Sequence, residues 1–271
     1  VPKSRIYRII RKGEVRINGK RGKASTRLFS GDTVRVPPIR SSTKALQKTK
    51  LQSLEETIIY ENKSIIVINK PPGLAVHGGS GISMGVIETF RANSSTASSL
   101  ELVHRLDRDT SGCLMIAKNR RYLKVLQSAL RATSIIRKNY RAIVHGNWPS
   151  RLGFIDAPIK KNSLSSGERI SKVSESGKTA RTEFSVLARG GGLTFLSVKP
   201  ITGRTHQIRV HCCHVDKPIL GDTKYGYQAE DDAISKIANS YRLMLHAESL
   251  EVPPIEDFPG FSVKAPQDDA F

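Results

Sequence analysis

A chain of 271 residues, 38% hydrophobic and 25% charged, has room for one domain of moderate size and a small second one. Lysine and arginine number 44 against 24 acids, a formal net charge of +20, and such a field attracts polyanions. No apolar run approaches the length of a bilayer span and no signal-peptide pattern opens the sequence, so the expected partner is nucleic acid, with no membrane involved.

The positive charge sits at one end. Residues 1–50 hold 15 lysines and arginines against 2 acids, +13 of the total, whereas residues 227–271 hold 3 bases and 9 acids. Regular apolar spacing argues against a histone-like tail. Ser4–Arg11 reads as a helix with Ile6, Ile9 and Ile10 on one face, and Gly13 stops it. Val15–Ile17 follows as a strand entering an Asn18-Gly19 turn. A Gly31-Asp32 turn then precedes the alternating strand Thr33–Val36, which Pro37-Pro38 ends. From Ser4 to Val36 the pattern resembles the S4 RNA-binding module, with that module's first helix missing. The resemblance implies that residues 1–40 form a small α+β unit presenting Arg5, Arg8, Arg11 and Lys12 to structured RNA. Half a module buries too little surface to be stable alone. Residues 41–56 are polar, lack glycine and proline, and read as a linker.

From Thr57 to Phe271 the texture is that of a folded domain. Strands are predicted at Thr57–Tyr60, Ser64–Asn69, Cys113–Ala117, Tyr140–His145, Arg181–Leu187, Leu193–Val198 and Leu243–Val252. Helical spacing falls at Met84–Arg91, Arg121–Arg131 and His206–His214. Strands outnumber helices without regular strand–helix alternation, which predicts an α+β fold: a mostly antiparallel mixed sheet with flanking helices. Three cysteines, Cys113, Cys212 and Cys213, are too few for a disulfide framework and imply a reducing, cytoplasmic setting. In His211-Cys212-Cys213-His214, four consecutive residues cannot all turn toward one ion, so no metal is expected.

The densest polar segment is His104-Arg105-Leu106-Asp107-Arg108-Asp109-Thr110-Ser111-Gly112, just ahead of a strongly apolar strand. Taken alone it is an ordinary surface turn capped by an aspartate. A second segment, Gly203 to His211, packs polar groups at the start of a helix, where either a plain N-cap or an anion site would fit. Lys70-Pro71-Pro72-Gly73 makes a rigid loop after a buried strand.

These segments, in this order and spacing, carry a resemblance. N-K-P-P-G-L-A-V-H, H-R-L-D-R-D-T-S-G, the K-N-Y strand, T-G-R-T-H-Q-I-R-V-H and the L-x-L-H-A run at Leu243–Ala247 resemble the RluA-type pseudouridine synthases, from Tyr60 to Pro266. Tyr60-Glu61 through Gly81, Lys161-Asn162 and Ser166–Arg169 are similar to the branch acting on large-subunit ribosomal RNA. The resemblance implies an isomerase that breaks the N-glycosidic bond of a uridine, turns the base and rejoins it through C5, with no cofactor. It places the catalytic carboxylate at Asp107, with attack on the ribose, attack on the base and removal of a sugar proton all open as its role. Asp109 falls where the family varies. Arg209 would oppose the desolvation that pushes a pocket aspartate toward its neutral form. Tyr140 would stack on the base, a contact worth roughly 1–3 kcal/mol. Arg105 would fill the gap that the flipped base leaves. His104, Arg204, His206 and Leu245 complete the RNA-contacting set, Leu245 being equally suited to the core. A monomer acting on large-subunit ribosomal RNA, free or in an assembling particle, is the expectation. The alternatives are a synthase acting on tRNA or another rRNA, a base-flipping glycosylase, and a non-catalytic ribosome-assembly factor. The last has no use for Asp107, Tyr140 and Arg209 together.

Overall fold

The longest apolar runs of the chain form the middle of a sheet, where both faces are covered. The structure, a computed structural model, describes residues 3–38, 54–78, 84–93, 99–132, 135–163, 169–238, 242–269 and 271. Its main sheet has ten strands. In spatial order the path runs β4 (Ile58–Glu61), β5 (Ile65–Lys70), β7 (Ser111–Ala117), β14 (Leu245–Val252), β8 (Arg137–His145), β13 (Leu193–Pro200), β12 (Arg181–Gly190) and β9 (Phe154–Asp156). Off this path, β6 (Glu101–Leu102) pairs with β7 and β15 (Phe261–Lys264) pairs with β14. The pair β7–β14 is parallel, and the other pairings in the sheet are antiparallel. The mixed, mostly antiparallel sheet of an α+β fold is thus what the chain forms.

Alternation along the strands sends side chains to opposite faces. Ile65 and Val67 pack with Leu123, Leu126 and Ala129 of α3 (Arg120–Arg131), while Ile66 and Ile68 pack with Val86, Ile87 and Phe90 of α2 (Val86–Asn93). A third cluster joins Ala142, Val144, Leu196 and Val198 to Ile208 and Cys212 of α4 (Gln207–His214), and the rings of Trp148 and Phe184 meet within it at a tilt of 34°. Helix α5 (Gln228–Ala238) and the hairpin of β10 (Ile159–Ser163) with β11 (Arg169–Val173) complete the domain.

Several elements escaped the sequence reading. The short strands β9, β10, β11 and β15 carry few apolar residues, and β10 and β11 pair with each other outside the main sheet. Helix α5 opens with the polar residues Gln228, Glu230 and Asp231, of which Asp231 is buried against His145 Nε2 at 2.7 Å. Of the linker expected at 41–56, residues 41–53 lie outside the described residues. Leu54 already belongs to the core at 4% exposure, and Thr57 Oγ1 donates to its carbonyl at 2.7 Å. The folded domain therefore takes in Leu54, three residues before the expected boundary. At the basic end, α1 (Lys3–Arg11) precedes a three-stranded antiparallel sheet of β1 (Arg16–Ile17), β2 (Lys20–Arg21) and β3 (Val34–Arg35). Asn18 and Gly19 turn the first hairpin with φ of 48° and 80°. Ile9 of α1 is buried, but Ile6 is 40% exposed, so the apolar face is narrower than its spacing suggested.

The parallel pair β7–β14 depends on one glycine. Gly112 has φ of 104°, and a Cβ built on it would lie 2.2 Å from the carbonyl oxygen of Ala247. The two backbones approach too closely there for any side chain, and the conformation is strained for any L residue. Gly112→Ala is expected to lower stability by about 3 kcal/mol or more. Gly153→Ala, where the added methyl meets nothing within 4 Å, serves as the control with little change. Urea denaturation of the two variants reads the difference.

Candidate active site

The turn holding Asp107 is tied from below on both sides. Leu106 is buried among Ile66, Ile68, Leu114 and Ile116, and the Thr110 amide closes the turn on the Asp107 carbonyl at 3.3 Å. Lys70, fully buried at the end of β5, donates from Nζ to the carbonyls of Pro71, Leu74 and Arg108 at 2.7, 2.9 and 2.9 Å. Those three acceptors match the three donors of an ammonium and lash the Lys70-Pro71-Pro72-Gly73 loop to the Asp107 turn. Burial brings the lysine's pKa down to about 7, opposed by Asp109 and Asp107 nearby. At the start of β7, Ser111 Oγ lies 2.8 Å from His246 Nδ1 and accepts from Arg242 Nη2 at 3.1 Å.

The second half of the site comes from α4 and the turn before it. Gln207 is buried with its amide fully used. Its Oε1 accepts from Thr202 Oγ1 and the Arg204 amide at 2.7 and 3.0 Å, and Nε2 donates to the Arg181 carbonyl and Thr182 Oγ1 at 2.9 and 3.0 Å. Of the two readings open for this helix start, the side-chain N-cap is not what forms. His206 stands at the N-cap in the left-handed region (φ 56°, ψ 23°) and makes no capping hydrogen bond. Its Nδ1 meets Tyr225 Oη at 2.8 Å and its Nε2 lies 3.8 Å from Asp107 Oδ1.

Arg209, one turn into α4, joins the two halves. Its Nη1 donates to Asp107 Oδ2 at 3.2 Å, while Nε and Nη2 grip Asp222 Oδ2 and Oδ1 at 2.8 and 2.6 Å. The guanidinium also lies over the Tyr225 ring, 5.2 Å from its centroid. Burial opposes the charge on Arg209, but Asp222 and Asp107 outweigh it and hold its pKa above the ordinary arginine value. Asp222 is wholly buried and accepts the Lys224 and Tyr225 amides at 3.0 and 3.1 Å. The Asp107 side chain keeps 27% of its surface exposed.

Two cavities, of about 510 and about 500 Å³, meet at this ion pair and share Arg105, Leu106, Asp107, His206 and Arg209. The larger is lined by Tyr140, Leu245, Val103 and Ile208 as well as polar groups. Tyr140 is pushed above the ordinary phenol pKa by burial and by Asp107, so it offers a neutral ring at neutral pH. Leu245 is at once core and cavity wall. Arg105 is exposed where the two cavities join, and Arg204 is exposed with Nε on the Thr179 carbonyl at 2.9 Å. His104 lines the larger cavity, but its Nε2 is taken by the Met115 amide at 3.1 Å, and burial lowers its pKa to about 4. It stays neutral and anchors the turn. Asp109 pairs with its exposed neighbour Arg108 at 3.0 Å. Arg5 lies on α1, and Arg8, Arg11 and Lys12 are exposed at the basic end. His211 is buried between Thr182 Oγ1 and the Ala157 carbonyl, and Cys212 is buried, whereas Cys213 and His214 are exposed.

Asp222 and Tyr225 were missed. Their segment, Gly221 to Gly226, shows only turn residues in sequence, and nothing local announces a partner thirteen residues back. Gly221 holds the turn: a Cβ there would lie 2.0 Å from the Arg242 carbonyl oxygen. Removing one partner of a buried ion pair costs about 3–5 kcal/mol, so Asp222→Ala is expected to lower stability by roughly 3 kcal/mol or more. Chemical denaturation measures it.

A family profile described as RNA pseudouridylate synthase matches residues 64–214. The chain is 49% identical over 255 residues to ribosomal large subunit pseudouridine synthase C of Haemophilus ducreyi, covering 92% of this chain and 79% of that one. To the protein of the same name from Pasteurella multocida it is 46% identical over 273 residues, covering 99% and 83%. Among solved structures, human RNA pseudouridylate synthase domain containing 4 aligns with a TM-score of 0.65 at 26% identity, over 82% of this chain and 92% of that one. Human RNA pseudouridylate synthase domain containing 1 aligns with a TM-score of 0.64, also at 26% identity, over 78% and 83%. With a family match over more than half its length and near-full-length relatives at this identity, the chain belongs to the RNA pseudouridylate synthases, which are isomerases.

Proposed function

We propose that the protein converts uridines of large-subunit ribosomal RNA to pseudouridine, with Asp107 as the catalytic carboxylate. The observation that carries the reading is the placement of Asp107: a part-exposed carboxylate where two cavities meet, one oxygen held by a buried arginine. The reaction breaks N1–C1′, forms C5–C1′, releases the C5 proton and leaves a proton on N1. Substrate and product are isomers, so no group or electron need be supplied. Arg209 engages Oδ2 and leaves Oδ1 as the less engaged oxygen, available to the nucleotide. Tyr140 and Leu245 supply an aromatic and an aliphatic wall for the uracil ring. Arg105, exposed at the junction, takes the place of the base that leaves its stack.

The substrate class is supported by the two relatives described above, each named a ribosomal large subunit pseudouridine synthase. The basic end adds affinity: α1 and its small sheet hold Arg8, Arg11 and Lys12 in solvent, suited to phosphates as an S4-like module would be. The proposal extends to a cytoplasmic monomer acting on the RNA, free or in an assembling subunit.

Asp107→Asn is expected to abolish pseudouridine while keeping RNA affinity within several-fold, because the amide retains shape and loses charge. Asp109→Asn should retain substantial activity. Nuclease digestion of the treated RNA followed by nucleoside chromatography reads both, and the opposite pattern would move the catalytic role within the turn. Arg105→Ala should be slower by about 100-fold on a stacked stem-loop target, since unstacking a base costs a few kcal/mol. The deficit should shrink on an RNA whose target uridine is already unstacked. Single-turnover rates on the two RNAs give the comparison, and an equal loss on both would place Arg105 in the chemistry or the fold.

A further inference from the structure

The larger cavity carries a cation that meets no anion. Lys138 lies on β8 two residues before Tyr140, and both side chains line the cavity, as residues two apart on one strand face do. Its ammonium reaches the Thr202–Arg204 turn, since a Cβ built on Gly203 would lie 4.0 Å from Nζ. The side chain is half-buried, and among the described residues the Lys138 ammonium makes no ion pair and no hydrogen bond. Burial holds its pKa below the ordinary lysine value and no neighbouring acid offsets that, while its charge helps keep His104 neutral. Asp107 is the one acid among the residues lining this cavity, and Arg209 already engages it. Three further cations, Arg105, Arg131 and Arg204, stand exposed on the same rim.

A partly desolvated charge without a counter-ion costs free energy. Such a charge is stabilised when a ligand brings the counter-ion with it. Uracil and ribose are neutral, so in an RNA substrate the anion is a phosphodiester. We infer that Lys138, beside the Gly203 turn, is a phosphate-binding residue that takes a non-bridging oxygen of a backbone linkage next to the target uridine. It acts by positioning: the nucleotide is pinned by its backbone at one wall while the base meets Tyr140 and the sugar meets Asp107. This rests on the reading of the cavity as the seat of the target nucleotide.

The test is binding of a target stem-loop RNA, by fluorescence anisotropy, to wild type and to Lys138→Met, which keeps the aliphatic stem and loses the charge. Affinity should fall roughly tenfold, and the slope of log affinity against log salt should become shallower by about 0.7–0.9, one counter-ion. A series of RNAs, each with one neutral methylphosphonate linkage near the target, locates the contact. At one linkage the substitution should cost wild type about as much as the mutation does, and cost Lys138→Met nothing more. Lys138→Arg should recover the salt slope. If Lys138→Met fails to fold by circular dichroism, Lys138→Gln is read in the same way. An unchanged salt slope, or losses that simply add at every linkage, overturns the inference and leaves Lys138 as a donor to a base or a part of the fold. Pseudouridine measured on the same RNAs separates the two readings. None formed by wild type overturns the functional reading, whereas product formed without linkage coupling overturns only the role of Lys138.

Discussion

A single guanidinium holds the two halves of this site together. Arg209 rises from α4, takes both oxygens of the wholly buried Asp222 with two of its nitrogens, and turns a third toward Asp107. The fork shape is what allows it: a planar group with donors on two edges grips one carboxylate with two parallel bonds and still turns a third donor to another, a geometry that the single nitrogen of a lysine does not give. The buried pair with Asp222 fixes where the third donor points. Asp107 therefore meets a cation whose own position is already decided.

Every neighbour of that fork serves the same geometry. Tyr225 covers the guanidinium with its ring and holds His206 through its hydroxyl, so the residues around Asp107 form one connected set. On the opposite side, Lys70 gathers three carbonyls and pulls two loops into one body beneath the turn. The parallel contact of β7 with β14 brings the Asp107 turn beside Leu245, and only a glycine at position 112 admits that approach. A carboxylate positioned from two directions does not have to be ordered when the nucleotide arrives, and such preorganisation is where binding energy is otherwise lost.

Charge is arranged on two scales. Across the chain, +13 of the net +20 lies in the first 50 residues, and a long-range field of that sign attracts polyanions without reading their sequence. Within the larger cavity a single acid faces several cations, and these are graded by exposure. Arg105, Arg131 and Arg204 are exposed, Lys138 is half-buried, and Arg209 is buried and paired. Cations in water keep most of their hydration, while a desolvated one gains most from a well-placed phosphate.

The family, the α+β class and the segments that build the site were legible from sequence, because chemistry at a turn demands particular residues in a fixed local order. H-R-L-D and T-G-R-T-H-Q-I-R are contiguous, as are the apolar runs that became the sheet's centre. Short polar elements such as β10, β11 and α5 were not legible, since their stability comes from neighbours rather than from their own periodicity. Asp222 and Tyr225 were hidden for a related reason: a turn residue becomes a clamp only when the helix bearing Arg209 is folded against it. The bond from the Met115 amide to His104 Nε2 was not legible either, because strand pairing sets that partner. Sequence by itself determined the family and the local order of the candidate residues. Tertiary structure decided which of them are desolvated, paired or left waiting, because burial and charge pairing depend on distances between segments far apart in the chain.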